Sequence, residues 1–243
     1  MSGHSKWATI KRKKSVTDAK RGKLFTKLIK EIMISARNGG GETDSNPRLR
    51  QALLTAKAAN MPNDNIKRAI QKGTGELEGL IYEELTYEGY GPGGVAVFME
   101  ILTDNKKRSV AEIRHIMNKY GGNLGENGSV SWMFDKLGQI IIKNNRTDEE
   151  KLFEKALENG ALDFSNEGNE FLISCSISET PALSEKLEQA GYKVISSSVE
   201  MVPKNFIKVK GKDLEKLLIL LEMLEDLEDI QNIYSNFDTD DSE

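Results

Sequence analysis

Apolar residues in the first third of the chain recur at three- and four-residue spacings, which predicts amphipathic helices. The first helix covers 18–38 and ends at Gly39–Gly41, because glycine adopts the left-handed cap conformation without steric cost. A second helix begins at Pro47, and a third follows Pro62. The pattern therefore predicts a three-helix bundle, followed by a glycine-containing linker over 73–79.

Beyond the linker, the spacing of apolar residues becomes that of strands. Two strands over 83–90 and 95–103 flank a glycine-rich turn, and a helix follows over 106–120. A further strand is predicted over 129–134. These elements form a first α/β unit.

Residues 135–203 are predicted to contain strand, helix, strand, strand, helix and strand, the βαββαβ order of ferredoxin-like domains. The end of the chain adds an apolar helix over 214–224 and a short strand near 231–234, which have no partners of their own. We expect both to return to the first α/β unit. The predicted fold class is therefore α+β, with an N-terminal three-helix bundle followed by two ferredoxin-like α/β domains, one inserted in the other. The predicted domains are 1–79, 80–134 together with 204–243, and 135–203.

Composition excludes several protein classes. Hydrophobic residues make up 38% and charged residues 30% of the 243 positions, as in ordinary globular proteins. Apolar runs such as Leu217–Leu221 are far shorter than the roughly 20 residues that cross a bilayer. We therefore expect a cytoplasmic protein with no membrane partner. One cysteine and two histidines disfavour a Cys/His zinc site, and no catalytic constellation stands out. We expect no enzymatic activity, cofactor, metal or small-molecule substrate.

Charge is divided unevenly along the chain. Residues 1–79 hold 17 Lys and Arg against 7 Asp and Glu, whereas residues 80–243 hold 17 against 31. A basic end on an otherwise acidic chain is typical of a protein that meets a polyanion. Nucleic acid is the partner that this division favours.

The cations lie mainly in an N-terminal arm, 1–17, and on one stripe of the first helix. Asp18 is the sole acidic residue among the first 30, whereas a merely solvated surface mixes both signs. Trp7 within the arm has two interpretations: it stacks on an exposed base, or it anchors the arm to the bundle. The candidate nucleic-acid-binding residues are Lys6, Trp7, Lys11, Arg12, Lys13, Lys14, Lys20, Arg21, Lys23, Lys27 and Lys30. Lys106–Arg108, at the start of a later helix, could add a second contact.

Several segments resemble the YebC family, which includes PmpR-type regulators and the mitochondrial translational activator of cytochrome c oxidase. They are Met1–Trp7, Met61–Ile66, Tyr87–Gly94, Gly121–Gly125 and Asp229–Asn236. The resemblance implies a helical bundle and two α/β domains around a cleft, in a cytoplasmic protein without enzymatic activity. Some family members are described as transcriptional regulators that bind DNA. Others act on ribosomes and assist the synthesis of proline-rich sequences.

The sequence thus favours a non-enzymatic, nucleic-acid-binding regulator of gene expression, expected to bind DNA and to regulate transcription. The alternative is a translation factor that associates with the ribosome through ribosomal RNA. The arm lacks a helix-turn-helix pattern with base-reading side chains, which weakens the case for sequence-specific DNA recognition.

Overall fold

The computed structural model describes Trp7 and residues 18–239. The helices are α1 (Asp18–Gly39), α2 (Pro47–Ala58), α3 (Asn63–Thr74), α4 (Lys106–Lys119), α5 (Glu149–Glu158), α6 (Thr180–Gln189) and α7 (Gly211–Glu225). The strands are β1 (Glu83–Tyr90), β2 (Ala96–Thr103), β3 (Asn123–Leu124), β4 (Phe134–Lys143), β5 (Ala161–Asn166), β6 (Glu170–Cys175), β7 (Val194–Pro203), β8 (Ile207–Lys208), β9 (Ile230–Ser235) and β10 (Phe237–Asp238).

The three predicted N-terminal helices are confirmed. Asn46 caps α2, since its side-chain oxygen accepts a hydrogen bond from the Leu49 amide at 3.0 Å. Helices α2 and α3 both pack on α1 around a shared apolar core that includes Ile32, Leu49 and Ile66. Gly73 permits close approach of α3 to α1, because a Cβ there would lie 2.4 Å from the Met33 carbonyl oxygen.

The first sheet has the order β3-β1-β2-β9. Strands β1 and β2 form an antiparallel pair that runs from Glu83 opposite Thr103 to Tyr90 opposite Ala96. Helices α4 and α7 contact each other, and α7 also contacts the turn between β1 and β2. The last helix and the strand after it therefore return to complete this sheet, as the sequence predicts.

The inserted segment forms the predicted βαββαβ unit. Its strands lie in the antiparallel order β5-β6-β4-β7, the ferredoxin-like arrangement. Buried Leu152 of α5 and Leu183 of α6 share one apolar core with Ile140 and Phe171 of the sheet, so both helices cover the same face.

One predicted strand, 129–134, is wrong. Ser131–Met133 form a 3₁₀ turn, and the strand begins only at Phe134. Apolar residues alternate here as they do in a strand, but Val130 and Phe134 are buried whereas Trp132 is exposed. In a strand, Val130, Trp132 and Phe134 would all line one face, so the exposure of Trp132 between two buried residues shows that the alternation in sequence is misleading.

Contacts divide the chain into two compact units. One contains 18–129 with Lys210–Ile233, and the other contains Trp7, Val130–Val209 and the described residues from Tyr234 onward. The helical bundle and the first sheet share a unit, so the predicted domain boundary at residue 79 stays a prediction. Within the described ranges, no helix has the length and apolar character needed to cross a membrane.

Candidate nucleic-acid interface

Three lysines of the predicted basic stripe on α1 contact carboxylates at the end of α7. Lys23 Nζ lies 3.2 Å from Asp226 Oδ2, and Lys27 Nζ lies 3.1 Å from Glu225 Oε1. Lys30 Nζ lies 2.7 Å from Asp229 Oδ1. We refer to these three lysines and three carboxylates as the ion-pair cluster. It connects the helical bundle to the first α/β sheet across about 200 positions of the chain.

Burial within the ion-pair cluster increases along α1. The side chain of Lys23 is 38% exposed, that of Lys27 11% and that of Lys30 7%. Lys27 and Lys30 also donate to the backbone carbonyls of Glu225 and Glu228, at 2.8 and 2.9 Å. The Lys30 ammonium lies 5.4 Å from the centre of the Tyr82 ring, a favourable cation–π distance. The Lys30 ammonium therefore has its hydrogen-bond and ion-pair partners inside the protein.

Asp229 is the centre of the buried end of the cluster. Besides Lys30, its carboxylate accepts hydrogen bonds from Ser109 Oγ at 2.7 Å, Arg108 Nη2 at 2.9 Å and Thr103 Oγ1 at 3.1 Å. Burial alone would raise the pKa of Asp229, but hydrogen bonds from Lys30, Arg108 and Ser109 outweigh it and lower this pKa to about 2. The carboxylate is therefore ionised at neutral pH and holds its partners in place.

These contacts change the interpretation of the candidate residues. Lys23, Lys27 and Lys30 were expected to be free for phosphates, and the structure pairs them with carboxylates of the same chain. Arg108, a suggested second contact, bonds Asp104 and Asp229 in the same way.

Of the other candidates, the structure describes Arg21, Trp7 and the backbone of Lys20. Arg21 is exposed at the start of α1. Trp7 is only 4% exposed, and the structure groups it with Val130–Val209 and not with the helical bundle to which it was expected to anchor the arm. Lys6, Lys11, Arg12, Lys13, Lys14 and the side chain of Lys20 lie outside the described residues.

A second group of cations, on α2 and α3, is open to solvent. Residues 46–75 contain six Lys and Arg but a single acidic residue, Asp64. Arg48 pairs with Glu31 and Glu84, and Arg50 donates to the Thr43 carbonyl at 2.8 Å. The other four are exposed and have no ion-pair partner in the described part of the chain: Lys57, Lys67, Arg68 and Lys72. We call these four residues the cationic face. The sequence alone did not reveal this face, because Lys67, Arg68 and Lys72 do not form a continuous stretch of basic residues.

Helices α2 and α3 have the connection of a helix-turn-helix, with four residues between them. Asn60 in this turn has a left-handed backbone, with φ of 58°. Its amide donates to the Lys57 carbonyl and the Met61 amide to the Ala56 carbonyl, both at 2.9 Å, which is the Schellman ending of a helix. Asn60 was a detectable sequence signal, because asparagine tolerates this conformation better than most residues.

The outer surface of α3 carries side chains that can bond to base edges as well as to phosphates. Ile66 and Ala69 face the core, whereas Asn63, Lys67 and Arg68 are exposed. Asparagine can bond bidentately to adenine and arginine to guanine in the major groove of DNA. The first turn of α3 contains one carboxylate, Asp64, which would disfavour close approach of a phosphate there.

Two observations on the described residues concern metal-binding groups and a cavity. These residues contain no group of His, Cys, Asp and Glu side chains arranged to hold a metal ion. A cavity of about 600 Å³ lies at the C-terminal ends of α1 and α3, but Glu78 is the single carboxylate in its lining, which contains no histidine or cysteine.

Known proteins have similar sequences over nearly the whole length of the chain. The sequence profile of the TACO1/YebC protein N-terminal domain matches residues 5–76, and that of the TACO1/YebC second and third domain matches 82–237. A protein of Syntrophus aciditrophicus is 56% identical over 99% of this chain and 97% of its own length. One of Desulforapulum autotrophicum is 54% identical over 99% and 98%. Both are named "probable transcriptional regulatory protein".

The fold also agrees with a crystal structure. A conserved hypothetical protein of Aquifex aeolicus superposes with a TM-score of 0.88 at 44% identity and covers 98% of both chains. The two family profiles together match most of the sequence, and the two relatives are more than 50% identical over nearly their full length. These matches confirm the family resemblance that the sequence motifs indicated. The chain therefore belongs to the TACO1/YebC family.

Proposed function

We propose that this protein is a non-enzymatic regulator of gene expression that binds DNA through its helical bundle. The observation that carries the proposal is the cationic face: four exposed cations on α2 and α3 that no carboxylate of the described chain neutralises. Each cation that meets a phosphate releases condensed counterions, so such a face binds a polyanion without any base contact. The names of the relatives support a role in transcription.

The choice of DNA rests on the connection between α2 and α3. In a helix-turn-helix, the second helix lies in the major groove and its N-terminal residues contact bases. Helix α3 presents Asn63, Lys67 and Arg68 on its exposed side, and these side chains combine phosphate contacts with base contacts. The bundle therefore has both the charge and the hydrogen-bonding groups for reading a duplex.

The second candidate is a translation factor that associates with the ribosome through ribosomal RNA. Three of the four residues of the cationic face are lysines, whose ammonium groups hold phosphates of any polyanion and read bases poorly. This composition favours ribosomal RNA as much as DNA.

Crosslinking in cells, with sequencing of both DNA and RNA, distinguishes the candidates. We expect the native protein to be enriched at a limited set of DNA sites, whereas enrichment on ribosomal RNA would select the translation factor. A variant with Lys57, Lys67, Arg68 and Lys72 changed to Gln should lose the signal. The matched control changes four exposed lysines of the inserted unit to Gln and should keep it: Lys136, Lys143, Lys186 and Lys193. Equal recovery from both variants would contradict the proposal.

A further inference from the structure

Strand β5 of the inserted unit has an open backbone edge. In the sheet order β5-β6-β4-β7 it lies at one end, and β6 is its only strand partner among the described residues. Every second residue of an edge strand points its amide and carbonyl away from the sheet, where another chain can pair with them. Charged residues and proline protect many natural edges. Strand β5 contains no proline and a single charge, Asp163, and its Leu162 side chain is 64% exposed, so this edge has little of that protection.

Helix α5 exposes apolar side chains on the side that lies next to β5. Phe153 is 42% exposed, and Leu157, one turn later on the same side of the helix, is 48% exposed. The Phe153 ring packs edge-on against the ring of Phe164 in β5, with centroids 5.4 Å apart. One turn before Phe153, Glu149 Oε2 accepts a hydrogen bond from Asn166 Nδ2 of β5 at 2.6 Å. Helix α6 contacts β4 and β7, in the other half of the sheet. The open edge of β5 and the exposed Phe153 and Leu157 are therefore neighbours, and together we call them the β5–α5 surface.

The charges around the β5–α5 surface are mainly negative. Residues 148–166 contain six Asp and Glu against two Lys. Three exposed glutamates of α5 lie within one turn of the two apolar side chains: Glu149, Glu150 and Glu154. Both lysines of α5, Lys151 and Lys155, lie on the other side of the helix, where each has an acidic partner of its own. Complementarity of charge therefore favours a partner that is basic.

An open strand edge beside apolar side chains of a helix is an arrangement that binds extended peptides by strand addition. The backbone of the peptide pairs with the edge strand, and its alternate side chains point to one face of the sheet. We propose that the β5–α5 surface binds an extended basic segment of a partner protein as an added strand. Apolar side chains at every second position of the segment contact Phe153 and Leu157, and its cations are attracted by the surrounding carboxylates. This inference goes beyond the proposed function, because it gives the inserted unit a protein partner and does not depend on nucleic acid.

The probe is a labelled seven-residue peptide of alternating lysine and valine with both termini blocked. Its binding to the full chain is measured by fluorescence anisotropy. We expect binding that is lost when glutamate replaces every lysine of the peptide. Methylation of the backbone nitrogens of the valines or of the lysines tests strand addition without any change in the protein. One of these two methylated peptides should lose binding and the other should keep it, because only one edge of an added strand faces β5.

Two variants of the full chain locate the contact. Leu157→Ala should weaken binding of the lysine–valine peptide about 3- to 15-fold, the loss expected when part of a leucine side chain is no longer buried. Val199→Ala is the matched control, because Val199 is an exposed apolar residue of β7, the strand at the opposite edge of the same sheet. This variant should bind the peptide like the native protein. Hydrogen exchange with the peptide present should show new protection of amides in β5 and none in β7.

Several results would overturn the inference. Equal binding of the lysine and glutamate peptides would remove the basic partner, and equal behaviour of the two methylated peptides would remove strand addition. Equal affinities of Leu157→Ala and Val199→Ala, or new protection in β7 instead of β5, would place the contact elsewhere. Protection of β5 that rises with protein concentration in the absence of peptide would show that a second copy of the chain occupies the edge. None of these results would affect nucleic-acid binding by the cationic face.

Discussion

Two groups of cations in the same helical bundle have opposite environments. In the ion-pair cluster, Lys23, Lys27 and Lys30 of α1 meet carboxylates from the end of α7 at 2.7–3.2 Å. In the cationic face, four residues of α2 and α3 meet solvent. The first group forms ion pairs between two parts of the same chain. The second group has no ion-pair partner in the described residues and is open to a binding partner.

The comparison shows why net charge overestimates a binding surface. The excess of cations in residues 1–79 is real, but part of it is neutralised by carboxylates about 200 positions later. A charge that is paired and buried has already exchanged its hydration for an internal partner. For any polyanion partner, the cations without an internal partner therefore matter more than the total.

The largest effect is expected where the ion-pair cluster is most buried. Lys30→Met should lower the free energy of unfolding by about 3–5 kcal/mol, because it leaves Asp229 buried without its main counterion. Lys67→Met, on the exposed side of α3, should change that free energy by less than about 0.5 kcal/mol. Urea unfolding followed by circular dichroism measures both. Equal effects of the two substitutions would remove the distinction between the groups.

The pH dependence of stability gives the next largest effect. The pKa of Asp229 is about 2 in the folded chain and lies near 3.9 when unfolded, so its contribution is complete above about pH 4 and is lost as the pH falls toward 2. The difference in unfolding free energy between the native protein and Asp229→Asn should therefore shrink by about 2 kcal/mol from pH 5 to pH 2. A difference that does not change with pH would show that Asp229 does not titrate with a lowered pKa.

Smaller effects should follow the burial of the other two pairs. Lys27→Gln is expected to cost about 1–2 kcal/mol, because it loses hydrogen bonds to the carboxylate and the carbonyl of Glu225. Lys23→Gln should cost less than about 1 kcal/mol, since its pair with Asp226 is more than a third exposed. Double-mutant cycles with Glu225→Gln and Asp226→Asn measure the coupling of each pair. A larger coupling energy for Lys23–Asp226 than for Lys27–Glu225 would contradict the expectation that the more buried pair contributes more.

Local signals predicted most of the fold. Pro47 and Asn46 mark the start of α2, and the βαββαβ order of the inserted unit follows from the spacing of apolar residues. The strand predicted over 129–134 failed because alternation in sequence cannot show that Trp132 faces water. Because of that wrong prediction, the exposure of the Trp132 side chain was not foreseen.

The candidate site was harder to predict than the fold. The spacing of Lys23, Lys27 and Lys30 shows that they share a side of α1 but not what covers that side. Their partners are the last residue of α7 and two residues just after it, far along the chain, so only the tertiary structure reveals the pairing. Asn60 was a local signal for the turn before α3, but only the structure showed its left-handed backbone conformation.

The most direct test of the account is the salt dependence of DNA binding by two variants. One changes Lys57, Lys67, Arg68 and Lys72 to Gln, and the other changes Lys23 and Lys27 to Gln. Binding of a labelled 20-base-pair duplex is measured by anisotropy between 50 and 200 mM salt, a range in which phosphate contacts have large effects. We expect the slope of log affinity against log salt to fall by up to about 3.6 for the first variant and to stay unchanged for the second. An unchanged slope for the first variant with a reduced slope for the second would show that the lysines of α1, and not the cationic face, bind the DNA backbone.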